Sequence, residues 1–282
     1  MMKGMINRTR LLAARLALLS LAAFAGWAQA DSVLLIHGYL SSPLSWERTG
    51  VNDALEANGW HRAGIIEPHS QIIVPPKEPK TGKNRVYNVH LPFRQPLDIQ
   101  GNELSNALDM VESKHPGESV ILVGHSAGGL AARMSLVTRG KGNVTRLITI
   151  ATPHLGTWRA RQGLKITKNH GPFNIVKEVV GGRAYDNLKA SKPLLWDLIP
   201  NLPGNALFWL NRQPHPDIDY VSIIHTKGFS GKGDWIAPAL SQDMNQVPPL
   251  QGKSAVILLP SGHELSPRDG EVLVDILNRK VQ

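Results

Sequence analysis

The segment 120-VILVGHSAGGLAARMS-135 constrains the fold of this chain more than any other stretch. Four apolar residues, typical of a strand buried on both faces of a sheet, precede Gly-His-Ser-Ala-Gly and a run with helical character. The chain must therefore turn sharply at Ser126. Such a turn exposes the serine hydroxyl at the carboxyl end of a sheet and at the N-terminus of a helix, where N–H groups favour negative charge. The segment predicts a reactive serine on an α/β fold.

Apolar runs of strand length alternate with amphipathic runs of helix length along most of the chain. This alternation predicts an α/β architecture with a doubly wound, mostly parallel sheet. We expect about six strands, at residues 33–36, 85–91, 120–123, 147–151, 220–225 and 255–259. Residues 61–85 are interrupted by prolines and lysines, so an irregular loop is expected there. Short helical pieces between about residues 155 and 219 break the alternation and predict an inserted helical cap.

The first 30 residues have the pattern of a secretory signal peptide. A basic start is followed by an apolar run that ends in 28-Ala-Gln-Ala-30, a pattern typical of a cleavage site. The alternative is an N-terminal membrane anchor, but the run is short for a span and contains Arg15. We therefore predict a signal peptide at 1–30, one domain at 31–282, and export to a periplasm or to the medium.

Composition excludes several classes of protein. The 282 residues include no cysteine, which excludes disulfides, thiolate metal sites and a cysteine nucleophile. Loss of residues 1–30 would remove four Lys or Arg and no acidic residue, and would lower the formal charge from +9 to +5. No block of basic and aromatic residues indicates nucleic-acid binding. No second apolar run approaches the length of a membrane helix.

A serine nucleophile needs a general base and a carboxylate that orients it, each on a loop after a later strand. Among eleven histidines, His263 alone follows the last predicted strand. Asp234 is the only carboxylate in the segment 231-GKGDWIAP-238, which follows the strand before it. Asp243 and Glu264 are the alternatives for the acid.

Attack of a serine on a carbonyl group also needs N–H groups that stabilise the resulting oxyanion. One donor is expected from Ala127, the residue after the nucleophile. The second is expected from the loop after the first strand, where Gly38 lets the chain turn its next amide toward the serine. Tyr39 is the predicted donor and Leu40 the alternative.

Five pieces of the chain together resemble the α/β-hydrolase lipases and esterases, particularly secreted bacterial triacylglycerol lipases. The pieces are 36-IHGY-39, 123-VGHSAGGL-130, 150-IATPHLGT-157, 233-GDWIAP-238 and 262-GHE-264. The resemblance implies Ser126 as nucleophile, Asp234 as acid and His263 as base. It also implies oxyanion amides at Tyr39 and Ala127, and a mobile cap over an acyl pocket.

These observations predict hydrolysis of carboxylic esters of small molecules or lipids through an acyl-enzyme. The alternatives are acyl transfer to an alcohol, amide hydrolysis, and a non-catalytic lipid-binding protein. No cofactor and no metal is expected, and Asp269 and Asp275 are interpreted as solvated helix residues. We expect only transient contact with lipid interfaces. The apolar residues of the cap either line the acyl pocket, contact a lipid interface or pack the cap onto the body: Trp196, Leu207, Phe208, Trp209 and Leu210.

Overall fold

The computed structural model describes residues 31–69, 71–73, 82–168, 182–227 and 233–278. The predicted signal peptide at 1–30 and part of the proline-rich loop lie outside the described residues. In the part of the chain that is described, no helix is both long enough and apolar enough to cross a membrane.

Eight strands form one sheet. In chain order they are β1 (Asp31–Ile36), β2 (Trp60–Glu67), β3 (Gln71–Ile73), β4 (Asn84–Val89), β5 (Ser119–His125), β6 (Val144–Ile150), β7 (Asp219–His225) and β8 (Ser254–Leu259). Their spatial order is β3-β2-β4-β1-β5-β6-β7-β8. Every neighbouring pair is parallel except β2 and β3, which are antiparallel.

The helices of the described residues alternate with these strands as a doubly wound sheet requires. They are α1 (Ser45–Arg48), α2 (Val51–Ala57), α3 (Leu97–Lys114), α4 (Ala127–Arg139), α5 (Trp158–Lys168), α6 (Gly182–Ala190), α7 (Lys192–Asp197), α8 (Ala206–Leu210), α9 (Ala239–Gln242) and α10 (Pro267–Asn278). Helices α5 to α8 lie between β6 and β7 in the chain, within the segment predicted as a cap.

The predicted mostly parallel α/β sheet is confirmed, but the predicted number of six strands is wrong. The two additional strands, β2 and β3, occupy residues that were expected to form an irregular loop. The pairing of β2 with β4 shifts register between Arg62 and Gly64. This irregularity interrupts the apolar alternation by which a strand is recognised in a sequence.

Two apolar cores cover the two faces of the sheet, because alternate side chains of each strand point in opposite directions. On one face Leu34, Leu122 and Leu147 pack with residues of α3 and α4. On the other face Val33 and Val123 pack with residues of α1, α2 and α10. Helices therefore pack against both faces of the sheet.

The fold brings three loops together at one edge of the sheet. Ser126 follows β5 directly, Asp234 lies in the connection after β7, and His263 lies in the loop after β8. These three strands are parallel to one another and to the intervening β6, so their carboxyl ends lie at the same edge. Residues distant in the sequence therefore meet there.

Candidate active site

Ser126 occupies a backbone conformation that L-residues rarely adopt, with φ of 52° and ψ of −126°. Tight packing of glycines around the turn keeps it there. A Cβ on Gly124 would lie 2.4 Å from Cα of Gly129, and a Cβ on Gly128 would lie 2.5 Å from the carbonyl oxygen of Ile36. The two glycines allow β5, α4 and β1 to approach closely enough to form the turn.

The side chains of Ser126, His263 and Asp234 form one hydrogen-bonded chain. Ser126 Oγ lies 2.9 Å from Nε2 of His263. Nδ1 of His263 lies 2.8 Å from Oδ2 of Asp234. A carboxylate can only accept, so Nδ1 carries the hydrogen and Nε2 is free to accept the proton of the serine hydroxyl. The sequence-predicted trio is thus brought together with the geometry of a nucleophile, a base and an orienting acid.

The carboxylate of Asp234 is fully buried and well supplied with donors. Oδ1 accepts from the backbone N–H groups of Ile236 and Ala237, each at 2.7 Å. The side-chain amide of Gln242 donates to Oδ2 at 3.2 Å. Burial by itself raises the pKa of Asp234, but the contacts with His263 and the two backbone N–H groups outweigh it and lower the pKa below its ordinary value.

Two main-chain N–H groups beside Ser126 are available for an oxyanion. Ala127 and Tyr39 both line the cavity at the serine, as does the alternative donor Leu40. Among the described residues, the backbone N–H groups of Ala127 and Tyr39 donate to no other group. A Cβ on Gly38 would lie 2.8 Å from Cβ of Ser126, so only glycine allows this loop to pass so close to the serine.

His37 holds the loop that carries Tyr39. Its Nδ1 lies 2.9 Å from the carbonyl oxygen of Gly38, and its Nε2 accepts from the N–H of Leu91 at 3.1 Å. Burial lowers the pKa of His37 to about 4, so the ring is neutral and keeps one donor and one acceptor. The carbonyl of Gly38 and the N–H of Tyr39 belong to one peptide plane, so the bond to His37 also fixes the direction of this N–H.

The 152-Thr-Pro-His-154 segment packs against α4, the helix that begins after Ser126. His154 is fully buried, and its Nδ1 lies 3.3 Å from a guanidinium nitrogen of Arg133. Arg133 is also fully buried and donates to Nε2 of His215 at 3.1 Å and to Oδ1 of Asn211 at 2.9 Å. Burial lowers the pKa of Arg133 to about 9. This polar cluster joins α4 to the segment that follows α8.

A cavity of about 340 Å³ opens beside Ser126. Its polar lining includes His263, Glu264 and Arg159. Its apolar lining comes from the oxyanion loop, from the Thr-Pro-His segment and from helices α5 to α7, and includes Leu40, Pro153, Ala160, Leu188, Leu195, Leu198 and Ile236. An acyl chain attached to Ser126 would meet mainly hydrocarbon here.

The five cap residues proposed from the sequence do not line this cavity. Leu207 and Leu210 are buried in the core on one face of the sheet. Trp196 and Trp209 are about half exposed, and the ring of Phe208 is covered by the guanidinium of Arg212. The acyl-lining alternative for these side chains is therefore corrected, because Leu188, Leu195 and Leu198 line the cavity instead. The packing alternative fits Leu207 and Leu210, and contact of the tryptophans with a lipid interface stays a prediction.

Three further groups near the site were not predicted. Nε2 of His125 lies 2.8 Å from the carbonyl oxygen of His263. His225 and Asp269 form a second histidine–aspartate pair, 2.7 Å between Nε2 and Oδ1, in which both side chains are fully buried. The interpretation of Asp269 as a solvated helix residue is wrong. Both histidines end a strand at the catalytic edge, which is the one sequence signal that marks them.

Within the described ranges, no three histidine, aspartate or glutamate side chains are grouped so that they would hold a metal ion. The expectation that the chemistry needs neither metal nor cofactor stays a prediction. It rests on the serine, histidine and aspartate alone, which supply a nucleophile, a base and an orienting charge.

Known proteins share this architecture. A family profile described as a PGAP1-like alpha/beta domain matches residues 101–173, which include Ser126 and the Thr-Pro-His segment. A gene product of Listeria innocua superposes with a TM-score of 0.58 at 16% identity, over 90% of this chain and 96% of that one. The chain has the α/β-hydrolase fold.

Two further α/β-hydrolase structures are similar to this chain. The mature Bacillus licheniformis lipase BlEst2 has a TM-score of 0.56 at 14% identity, with 89% of this chain and 91% of that one covered. A lipase-esterase related protein from Clostridium acetobutylicum has a TM-score of 0.51 at 12% identity, with 89% and 94% covered. No curated protein matches by sequence. The α/β-hydrolase resemblance predicted from the sequence is thus confirmed as a fold.

Proposed function

We propose that this α/β-hydrolase protein hydrolyses carboxylic esters through an acyl-enzyme on Ser126. The observation that carries the proposal is the continuous chain from Ser126 Oγ through both ring nitrogens of His263 to Asp234, with contacts of 2.9 and 2.8 Å. Structural neighbours that are named as lipases or lipase-esterase related proteins support the same class of reaction.

The proposed first half-reaction is attack of Ser126 Oγ on the ester carbonyl. Nε2 of His263 takes the hydroxyl proton as the new C–O bond forms, and the carbonyl oxygen becomes an oxyanion facing the N–H groups of Ala127 and Tyr39. Collapse of the tetrahedral intermediate breaks the bond to the alcohol, which leaves with the proton from His263. Asp234 stabilises the imidazolium in between and keeps its hydrogen on Nδ1.

Water completes the cycle. His263 takes a proton from water, which attacks the acyl carbon, and returns that proton to Ser126 as the acid leaves. The substrate we propose carries an apolar acyl group, because leucines of α6 and α7 and the residue after α7 border the space beside Ser126. Lipid esters fit this description. The half-exposed Trp158 and Trp235 line a neighbouring pocket that shares Arg159 and Ile236 with this cavity, and they support transient contact with a lipid surface.

The first test is hydrolysis of p-nitrophenyl esters with acyl chains from C2 to C16, with the purified 31–282 chain and its Ser126→Ala variant. We expect hydrolysis in the wild type, and a fall in kcat on the order of 10⁵ or more in the variant, since removal of a serine nucleophile has an effect of this size in a comparable triad. Equal rates in the two proteins would contradict the proposal.

Added alcohol distinguishes hydrolysis from acyl transfer. Release of free acid as the main product supports a hydrolase, whereas transfer of most acyl groups to the alcohol identifies a transferase. A fluorophosphonate probe that labels the wild type but not the Ser126→Ala variant supports the nucleophile independently of the substrate. Export of the protein stays a prediction from the first 30 residues.

A further inference from the structure

The loop that carries His263 is hydrogen-bonded to a second, fully buried histidine–aspartate pair. His225 ends β7, and Asp269 lies in the first turn of α10. Nε2 of His225 lies 2.7 Å from Oδ1 of Asp269, and neither side chain has exposed surface. Oδ2 of Asp269 accepts from the N–H and the hydroxyl of Ser266, each at 2.8 Å. Each polar atom of such a buried pair needs a hydrogen-bond partner, and the partner of one ring nitrogen of His225 remains to be named.

That remaining atom, Nδ1 of His225, is hydrogen-bonded to the carbonyl oxygen of Gly262. A carbonyl oxygen only accepts, so Nδ1 carries a hydrogen. The proton between His225 and Asp269 can reside on either partner, and in both cases Nδ1 keeps its hydrogen. An ionised Asp269 beside a neutral His225 would instead draw the single hydrogen to Nε2 and leave Nδ1 without one. The contact with Gly262 therefore requires the additional proton that the pair shares, and Asp269 stabilises His225 in the form that holds Gly262.

Gly262 directly precedes the proposed base, and the next carbonyl is held as well. Nε2 of His125 lies 2.8 Å from the carbonyl oxygen of His263 itself. The first carbonyl belongs to the peptide plane that contains the nitrogen of His263, and the second belongs to the plane that follows it. Fixing two consecutive peptide planes fixes φ and ψ of the residue between them, and hence the direction of its Cα–Cβ bond.

The main chain of His225 is also connected to Asp234 by hydrogen bonds through Gln242. Its N–H donates to Oε1 of Gln242 at 2.8 Å, and the amide nitrogen of Gln242 lies 3.2 Å from Oδ2 of Asp234. The end of β7 thus connects to both partners of the catalytic contact, to His263 through Gly262 and to Asp234 through Gln242.

We propose that His225, held in one protonation pattern by Asp269, is the positioning residue that aims His263 at Ser126. This inference rests on the proposed function and deepens it. Misplacement of a catalytic group by about 1 Å costs roughly 100-fold in rate, so loss of the bond to Gly262 should lower kcat far more than it changes KM.

Two substitutions separate positioning from packing. The amide nitrogen of asparagine lies as many bonds from Cβ as Nδ1 of histidine, so His225→Asn keeps a donor for Gly262 and loses the contact with Asp269. The amide nitrogen of glutamine matches Nε2, so His225→Gln keeps a donor for Asp269 and loses the bond to Gly262. Thermal melting and p-nitrophenyl ester kinetics are measured on both.

The two roles predict opposite rankings. If His225 positions the base, His225→Gln melts at a higher temperature than His225→Asn, because the buried carboxylate of Asp269 keeps a donor only in the glutamine variant. Its kcat is nevertheless about 10-fold to 100-fold lower than that of His225→Asn, and the KM values of the two variants agree within about twofold. If His225 only packs the core, kcat follows the melting temperature or is the same in both variants, and the inference is overturned.

The outcomes also separate this inference from the proposed function. A wild type that neither hydrolyses esters nor reacts with the fluorophosphonate probe overturns both. A reactive wild type with no kcat difference between the Gln and Asn variants overturns the inference alone. If His225→Asn is unfolded at the assay temperature, His225→Asn combined with Asp269→Asn removes the unpaired carboxylate and takes its place in the comparison.

Discussion

Two histidine–aspartate pairs lie at the same edge of the sheet, and only one of the two faces a serine hydroxyl. The contact between His263 and Asp234 is 2.8 Å, and that between His225 and Asp269 is 2.7 Å. The difference lies at the other ring nitrogen. Nε2 of His263 faces a serine hydroxyl, which can give up a proton, whereas Nδ1 of His225 faces a carbonyl oxygen, which has none to give.

A short contact between a histidine and a carboxylate therefore does not identify a base. What decides is the group on the far side of the ring and its access to substrate. The side chain of His263 is 13% exposed and lines the cavity, while that of His225 is 0% exposed. In the mechanism that we propose, one pair moves a proton and the other holds the loop on which that movement depends.

The largest effect that distinguishes the pairs is expected from Asp234→Asn. The backbone N–H groups of Ile236 and Ala237 hold the amide oxygen where Oδ1 was, so the amide nitrogen faces Nδ1 of His263. His263 then carries its hydrogen on Nε2 and cannot accept the proton of Ser126. We expect a fall in kcat of about 10⁴ with p-nitrophenyl esters, as for a comparable wrong tautomer. A fall of less than about tenfold would contradict the assigned role.

The meeting of Ser126, Asp234 and His263 was predictable because each has a local signature. Ser126 lies in a five-residue motif between a buried strand and a helix, and the other two lie in short loops after strands with continuous apolar runs. Strands of that kind are recognised from composition alone, since both faces are buried. Because these strands are parallel, their carboxyl ends lie at one edge of the sheet, and the loops that follow them meet there.

The lining of the cavity could not be predicted because it depends on the rotation of short helices. Trp196 and Leu195 are adjacent on α7, and successive helical side chains point about 100° apart, so one faces solvent while the other faces the cavity. The pairing of His225 with Asp269 was equally hidden. The two residues are 44 positions apart, and β8 and the loop that follows it lie between them in the chain.

A smaller effect is expected from pH, which acts on the pair of His263 and Asp234. Nε2 of His263 must carry no hydrogen if it is to accept the proton of Ser126. Asp234 stays ionised in mildly acidic solution because contacts with His263 and backbone N–H groups outweigh its burial and lower its pKa. The proposed base must accept the proton of Ser126 through Nε2, so we expect kcat/KM to fall on the acid side of the profile. The contact of His225 with Gly262, in contrast, uses a ring nitrogen that carries a hydrogen.

The measurement is kcat/KM for one soluble ester across the pH range, with far-ultraviolet circular dichroism at each pH as a control for folding. A profile that is flat from about pH 5 to pH 9 would rule out His263 as the base. Loss of signal in the dichroism spectrum at the same pH as the loss of activity would attribute the effect to unfolding instead.

The smallest effect is expected from Asp269→Asn, the same substitution at the other pair. The N–H of Ser266 holds the amide oxygen where Oδ2 was, so the amide nitrogen faces Nε2 of His225. His225 then carries its hydrogen on Nδ1, which is where the bond to Gly262 needs it. We expect kcat to fall by less than about threefold, against about 10⁴ for Asp234→Asn, because one substitution forces the wrong tautomer and the other the right one.

Asp269→Leu is the matched control, since a leucine has a similar volume but no donor for Nε2 of His225. The ring then loses the contact that holds its far side and is no longer kept in line with Gly262, so we expect kcat to fall about tenfold or more below that of Asp269→Asn at temperatures where both variants are folded. Equal rates for the Asn and Leu variants would show that Asp269 does not act on the base through His225. The second pair would then stabilise the fold without aiming the base.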